Sequence, residues 1–310
     1  MDTGKIKRRL KHIRERLAER NAWQRWLARK ILPYTQLLGF SILGDHFYEP
    51  VPNLKLIRDR YSDEPRKLTG FQPVSSWAEG MEQVTGPYLA EYLASPVYEK
   101  FGKENWFYAG WDAAYYYCLI RSRKPTSITE IGRGMSTWIA GAALERNAGD
   151  GSPGEIVSID PYFHGENTTS CTRIVTTELQ QISASERETL LRAEIFFIDS
   201  SHVARWGSDV LRLFESWIPE VPAKTLVHIH DIFTPYDYPR EWLVAQKRFW
   251  NEQYLFEPFI AFNSAFQIEC PMYYLFKTGA LQQLSARVHA PELAGANGSA
   301  MWLSRVQPGK

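Results

Sequence analysis

Seven residues stand where chemistry is done if the second half of the chain folds as a parallel sheet. They are Gly132 and Gly134, then Asp160, then Asp199 with His202, then His230 with Asp231. Each group follows a short apolar run, and in open α/β sheets ligands bind beyond the carboxyl ends of the strands. Glycines at the first strand-to-helix turn let backbone N–H groups approach a ligand, and the helix N-terminus that follows favours an anionic group. Asp160, closing the second run, is placed to accept hydrogen bonds from a ribose diol. Together these features describe a nucleoside-type cofactor. A dinucleotide would call for a third small residue where Thr137 stands.

The elements that must position these residues emerge from Pro125 onward. Ser127–Ile131, Glu155–Ile159, Arg173–Thr177, Glu194–Ile198 and Thr225–His230 read as strands. Phe266–Cys270 and Ala300–Val306 read as two late strands separated by an insertion. Helices are expected at Ser136–Asn147, near Ser208–Trp217 and, apart from Pro258, over Arg240–Phe262. Short apolar strands alternating with helical stretches are the signature of βαβ units. The chain divides into a basic leader over 1–45, a helical region or lid over 46–124 with helical patterns from Trp77 to Arg121, and a sheet domain over 125–310.

The local motifs resemble a known family. Glu130-Ile-Gly-Arg-Gly-Met-Ser-Thr137 resembles the first motif of class I S-adenosylmethionine-dependent methyltransferases, and Ile156-Val-Ser-Ile-Asp160 resembles the second. Phe197-Ile-Asp-Ser-Ser-His202, Val227-His-Ile-His-Asp-Ile-Phe233 and Pro235-Tyr-Asp-Tyr-Pro239 are similar to a bacterial group of these enzymes found among glycan and secondary-metabolite genes. So are His46-Phe-Tyr-Glu-Pro50, Trp250-Asn-Glu-Gln-Tyr254 and Gly298-Ser-Ala-Met-Trp-Leu303, so the likeness covers roughly residues 40–306. It implies an α/β fold: a Rossmann-like, mostly parallel sheet with an antiparallel final strand, preceded by an N-terminal helical region.

Asp199-Ser-Ser-His202 further resembles the active site of macrocin-type sugar O-methyltransferases. The resemblance implies S-adenosylmethionine as cofactor, held by Glu130, Gly132, Gly134, Asp160 and Asp199. The reaction it implies is methylation of a hydroxyl on a glycan, glycolipid or glycosylated metabolite. By position it assigns catalysis to His202, as general base, and Asp231, and it places Asp199, His230 and Asp231 around a divalent metal ion. His230 stands where that group carries an acid, and imidazole is a poor magnesium ligand. A sugar hydroxyl is a weak acid, so a base within hydrogen-bond reach is required, and histidine titrates near neutrality. Two other readings fit the same sheet: a nicotinamide- or sugar-nucleotide-dependent enzyme, and a degenerate methyltransferase fold serving as a scaffold or partner subunit.

Other side chains have plainer readings. His228 alternates with His230 and reads as a satisfied core histidine. Arg133 either projects to solvent or reaches the cofactor carboxylate. The aromatic residues between Asp231 and Phe259 read chiefly as core packing, with Trp242, Phe249, Trp250 and Tyr254 at helical spacing.

Composition excludes disorder and collagen-like repeats: of 310 residues, 44% are hydrophobic and 23% charged. The net charge of +1 is an average over unlike parts. Residues 1–30 carry 11 Lys/Arg against 3 Asp/Glu, a net of +8, and the remainder is therefore −7. Ile6, Leu10, Ile13 and Leu17 put an apolar stripe on that basic segment. Its expected partner is an anionic membrane surface, or else the body of the protein or a second subunit. The acceptor is expected to be a small molecule or glycan, with no nucleic-acid partner. Cys118, Cys171 and Cys270 are too few and too scattered for a disulfide framework or a zinc ribbon, which with the absence of a signal peptide points to a cytoplasmic setting, soluble or peripheral to the membrane. No apolar run is long enough to span a bilayer.

Overall fold

The computed structural model describes residues 26–43, 50–103, 107–163 and 173–307. Most of the basic leader and most of the His46–Pro50 motif lie outside them, as does Cys171. The chain forms two compact units, one of residues 1–63 with 239–249, the other of 64–238 with 250–310.

In the first unit, residues 26–37 form helix α1 and Leu54–Arg60 forms α2. Asn53 caps α2, its side-chain oxygen accepting from the Lys55 and Leu56 N–H groups. This satisfies two of the donors a helix start leaves open. A wide turn at Glu241–Ala245 belongs to the same unit.

The second unit holds the sheet. Its strands are β1 (Ser127–Ile131), β2 (Glu155–Ile159), β3 (Arg173–Val175), β4 (Ile195–Ile198), β5 (Leu226–Ile229), β6 (Phe266–Pro271) and β7 (Met301–Arg305). The order across the sheet is β3-β2-β1-β4-β5-β7-β6. The neighbours from β3 to β5 run parallel, and β7 runs antiparallel to both β5 and β6. This is the mostly parallel sheet with an antiparallel final strand that the motifs imply. Covered on both faces, β4 is buried at every position, which is why Ile195-Phe-Phe-Ile198 is continuously apolar instead of alternating.

Helices α3 (Ser76–Thr85), α4 (Leu89–Leu93) and α5 (Gly110–Arg123) precede the sheet, and α6 (Met135–Gly149) follows β1. Residues 64–123, within the expected helical region, belong to the same unit as the sheet, with α5 packed on α6. Helix α5 is buried from Gly110 to Arg121, so it is a core helix rather than a surface one. The charge at its end is paired: Arg121 donates to Glu91 and Asp150 at 2.7 and 2.9 Å.

After β3 come α7 (Ala184–Leu191) and α8 (Asp209–Arg212), the latter continuing as a wide turn over Leu213–Trp217. The helix expected over Arg240–Phe262 is broken. A wide turn ends at Ala245, and α9 begins only at Glu252 and runs to Ala261. The interruption puts Trp250, Asn251 and Glu252 against the loop after β4, and those contacts form part of the site. The insertion between β6 and β7 contributes α10 (Met272–Lys277) and α11 (Ala280–Arg287). No helix among the described residues is long and apolar enough to cross a membrane.

Candidate active site

At the carboxyl end of the sheet, where the strand order reverses between β1 and β4, lies a cavity of about 510 Å³. Its floor is the turn Gly132-Arg133-Gly134. Asp160, Pro161 and Tyr162 follow from β2, Asp199 to Ser201 from β4, and Glu178 to Gln180 close another side. Gly132 is required by geometry. Its φ is +86°, and a Cβ there would sit 2.2 Å from the Asp199 carbonyl oxygen. Gly134 has extended backbone and open space where a Cβ would stand, so its role is to start α6.

Glu130 does not reach the cavity. It is fully buried and accepts hydrogen bonds from Ser136, Thr137 and Ser158, each at 2.6 Å. Thr137 in turn accepts from the Gly134 N–H at 3.1 Å. Glu130 thus braces the glycine turn from beneath, and Thr137 occupies the third motif position because it ties that turn to Glu130. Burial pushes the Glu130 carboxyl up to about 7, against the pull of its three hydroxyl donors.

Asp160 lines the cavity and accepts from the Tyr162 N–H at 2.9 Å. Arg133 lines it too, its guanidinium 4.2 Å from the centre of the Phe163 ring. With Arg205 it gives the wall two guanidinium groups able to pair with a carboxylate. Glu178, Leu179 and Gln180 carry no sequence signal beyond a weak strand before them. They arrive here because a short helical turn follows β3.

Asp199 belongs both to the cavity wall and to a buried acid–base cluster. His202 Nε2 lies 3.2 Å from an Asp199 oxygen and 3.9 Å from an Asp231 oxygen, and its Nδ1 is hydrogen-bonded to Glu252 at 2.9 Å. The ring stacks on Trp250, with centroids 4.2 Å apart. The Asn251 and Glu252 N–H groups both donate to the His202 carbonyl, at 3.1 and 3.2 Å. The Asn251 side chain exchanges hydrogen bonds with the Ala204 backbone. Trp250-Asn251-Glu252 therefore clasps His202 by ring, backbone and charge. That hold fixes a left-handed conformation at His202, φ +59°, which costs a non-glycine residue about 1–2 kcal/mol. Asp231 is left-handed as well, at φ +55°, and accepts from the Ser299 hydroxyl at 2.7 Å.

The charges in this cluster are interdependent. Burial alone would lower the His202 pKa, but its hydrogen bonds to Asp199 and Glu252 hold it well above the ordinary histidine range. Burial would raise Asp199, yet the positive rings of His230 and His202 bring it down to about 2. His230 donates to the Phe107 carbonyl at 3.2 Å and lies 3.6 Å from Asp231. Its burial is outweighed by Asp231, Asp199 and Asp112, so its pKa is also raised. Asp112, on α5, accepts from the Ser299 and Ala300 N–H groups, and burial lifts it to about 6.

The three side chains expected around a metal are engaged in this network. His202 and His230 stand within 4 Å of the Asp199 and Asp231 oxygens and occupy the side of those carboxylates that a hard divalent ion would need. Among the described residues no group of three or more His, Cys, Asp or Glu side chains is arranged to hold one. This donor set does not fit a metal.

His228 is a core residue, but not a satisfied one. Its ring stacks on Phe197 at 3.8 Å and 8°, neither ring nitrogen has a hydrogen-bond partner, and burial keeps it neutral. Trp250 is likewise more than packing, since it walls His202.

Comparison with known proteins bears on one stretch of the chain. Residues 129–232 match the family model described as a methyltransferase domain. The matched stretch runs from β1 through Asp231 and covers about a third of the chain, including Asp160, Asp199 and His202. An uncharacterized protein of Archaeoglobus fulgidus is 31% identical over 127 residues. That alignment takes in 38% of this chain and 57% of the archaeal protein, so the chain spans little more than half the length of that relative. Among solved structures, the SAH-bound methyltransferase PaMTH1 of Podospora anserina overlaps 63% of this chain and 82% of its own. The two are 11% identical, with a TM-score of 0.37.

Proposed function

We propose that the protein is an S-adenosylmethionine-dependent O-methyltransferase acting on a hydroxyl of a glycan, glycolipid or glycosylated metabolite. The observation that carries this reading is the sharing of Asp199 between the methyltransferase-type cavity and the buried His202 cluster. The cavity fits the cofactor on its own terms. Gly132 lets the turn after β1 pass against the Asp199 carbonyl and line the cavity with backbone, Asp160 stands where a ribose diol would be held, and Arg133 and Arg205 suit a carboxylate.

When bound, S-adenosylmethionine supplies a methyl group on a positively charged sulfur, so the protein has to align an attacking oxygen and remove its proton. His202 lies between Asp199 and Glu252, whose carboxylates raise its pKa above the ordinary histidine range. To serve as base, His202 would first release its Nε2 proton to water, a loss that a positive charge on the cavity side of Asp199 would favour. Nε2 next accepts the hydroxyl proton as the oxygen acquires the methyl group, while Glu252 retains Nδ1–H and fixes the tautomer. Asp231, left-handed and anchored by Ser299, orients the acceptor beside Nε2.

The test follows labelled methyl from S-adenosylmethionine into glycan and glycolipid fractions of the host. His202→Ala should abolish transfer while leaving S-adenosylhomocysteine binding unchanged. Transfer at the wild-type rate by that variant would remove His202 from the chemistry.

A further inference from the structure

Helix α1 is turned the wrong way for a surface helix in water. Its buried positions are small or polar: Ala28 and Thr35, seven residues apart, with Ile31 and Leu32 half-buried between them. At 3.6 residues per turn these four share one face. The opposite face carries Trp26, Tyr34 and Leu37, with Leu27 and Leu38 on its flank, and all are exposed. Leu37 is 86% and Leu38 75% accessible. The exposed apolar run continues past the helix through Phe40, Ile42 and Leu43. Of 16 exposed large apolar side chains among the described residues, eight lie in residues 26–43. Isolated exposed leucines need no explanation, but this concentration does.

Charge identifies what covers it. Lys30 sits on the apolar face, with its ammonium 5.9 Å from the Trp26 ring, and Arg29 is exposed beside it. The segment 1–30 carries a net charge of +8. Exposed apolar and aromatic side chains with lysine and arginine among them suit the boundary of a bilayer whose headgroups are negative. Pairing of this face with a second copy about a two-fold axis would instead bring Arg29 and Lys30 of both copies to one interface.

We propose that α1 and the segment following it, through Leu43, form a membrane-docking surface that takes an anionic lipid bilayer, with the apolar side chains entering the headgroup boundary and the basic residues facing the lipid charge. This surface is independent of methyl transfer, and its test needs no cofactor.

The full-length chain is floated with vesicles of phosphatidylcholine containing phosphatidylglycerol, and with vesicles of phosphatidylcholine alone. The chain should bind the anionic vesicles at least tenfold more tightly and lose affinity as salt rises. The double variant Leu37→Glu/Leu38→Glu should lose at least tenfold in affinity at an unchanged melting temperature, because both side chains lie in solvent. Lys30→Glu, a charge change alone, should lose severalfold. Failure of the wild type to bind, equal binding to both vesicle types, or full binding by the double variant would overturn the proposal. A dimer in solution that the double variant converts to a monomer would give the face to a second copy, and would overturn it as well.

Discussion

Glu252→Gln isolates one of the charges that raise the His202 pKa. The substitution keeps the volume and an acceptor for Nδ1–H but removes the negative charge, 2.9 Å from Nδ1 in a fully buried position. Two unit charges about 4 Å apart interact by about 4 kcal/mol at the effective dielectric of about 20 that suits protein sites. At about 1.4 kcal/mol per pKa unit, this caps the fall in the His202 pKa at about 3 units. Some of it will be recovered, because Asp199 still faces Nε2. A downward shift of one to three units is therefore expected, on the order of these two constants. The assay is an NMR titration of histidine ring carbons, with His202→Ala used to assign the resonance. In the wild type His202 should remain protonated through neutral pH, and in Glu252→Gln it should titrate at lower pH. The pH at which activity reaches half its maximum should move down with it. A wild-type His202 that titrates near its ordinary value, or a variant in which it does not move, would refute the clasp as the source of its charge.

Three further outcomes follow. Gly132→Ala adds a Cβ against the Asp199 carbonyl at a left-handed position, so it should cost at least about 1–2 kcal/mol of stability and weaken S-adenosylhomocysteine binding more than tenfold; thermal melts and calorimetry check both. Glu130 has its folded pKa raised from 4.5 to about 7, so the stability it lends as a neutral acid is complete below 4.5 and lost as pH rises through about 7. That shift of 2.5 units amounts to about 3 kcal/mol, so at pH near 8 Glu130→Gln should melt no lower than the wild type while Glu130→Ala melts well below it; equal losses in the two variants would contradict the bracing role. Asp160→Ala should weaken S-adenosylhomocysteine at least tenfold by calorimetry with the melting temperature unchanged.

The sheet is legible in the sequence because its strands are short, largely apolar runs between turn residues, β4 being apolar and buried throughout. Residues at strand ends can be placed for the same reason: Asp160 and Asp199 line the cavity as their positions past β2 and β4 require. Glu130 lies one layer beneath its expected place, since a motif records that an acid is present and not which way its side chain turns. Glu252 is out of reach for a different reason. It lies 50 residues from His202, and its helical periodicity runs on into Arg240–Phe262 as if unbroken. The break at Trp250-Asn251 is made by tertiary hydrogen bonds to His202 and Ala204, which no local propensity encodes. The exposed apolar face of α1 is hidden in the sequence because spacing gives a stripe but not whether that stripe is buried.

The claim on which the functional reading rests is that the cavity over Gly132, Asp160 and Asp199 takes a methyl-donor nucleoside. Calorimetric titration of the full-length chain with S-adenosylhomocysteine, and separately with NAD, tests it most directly. Saturable binding of S-adenosylhomocysteine is expected at one site per chain, weakened by Asp160→Ala and preserved in His202→Ala, with no binding of NAD. Binding of NAD alone, or no binding of S-adenosylhomocysteine by folded protein, would contradict it.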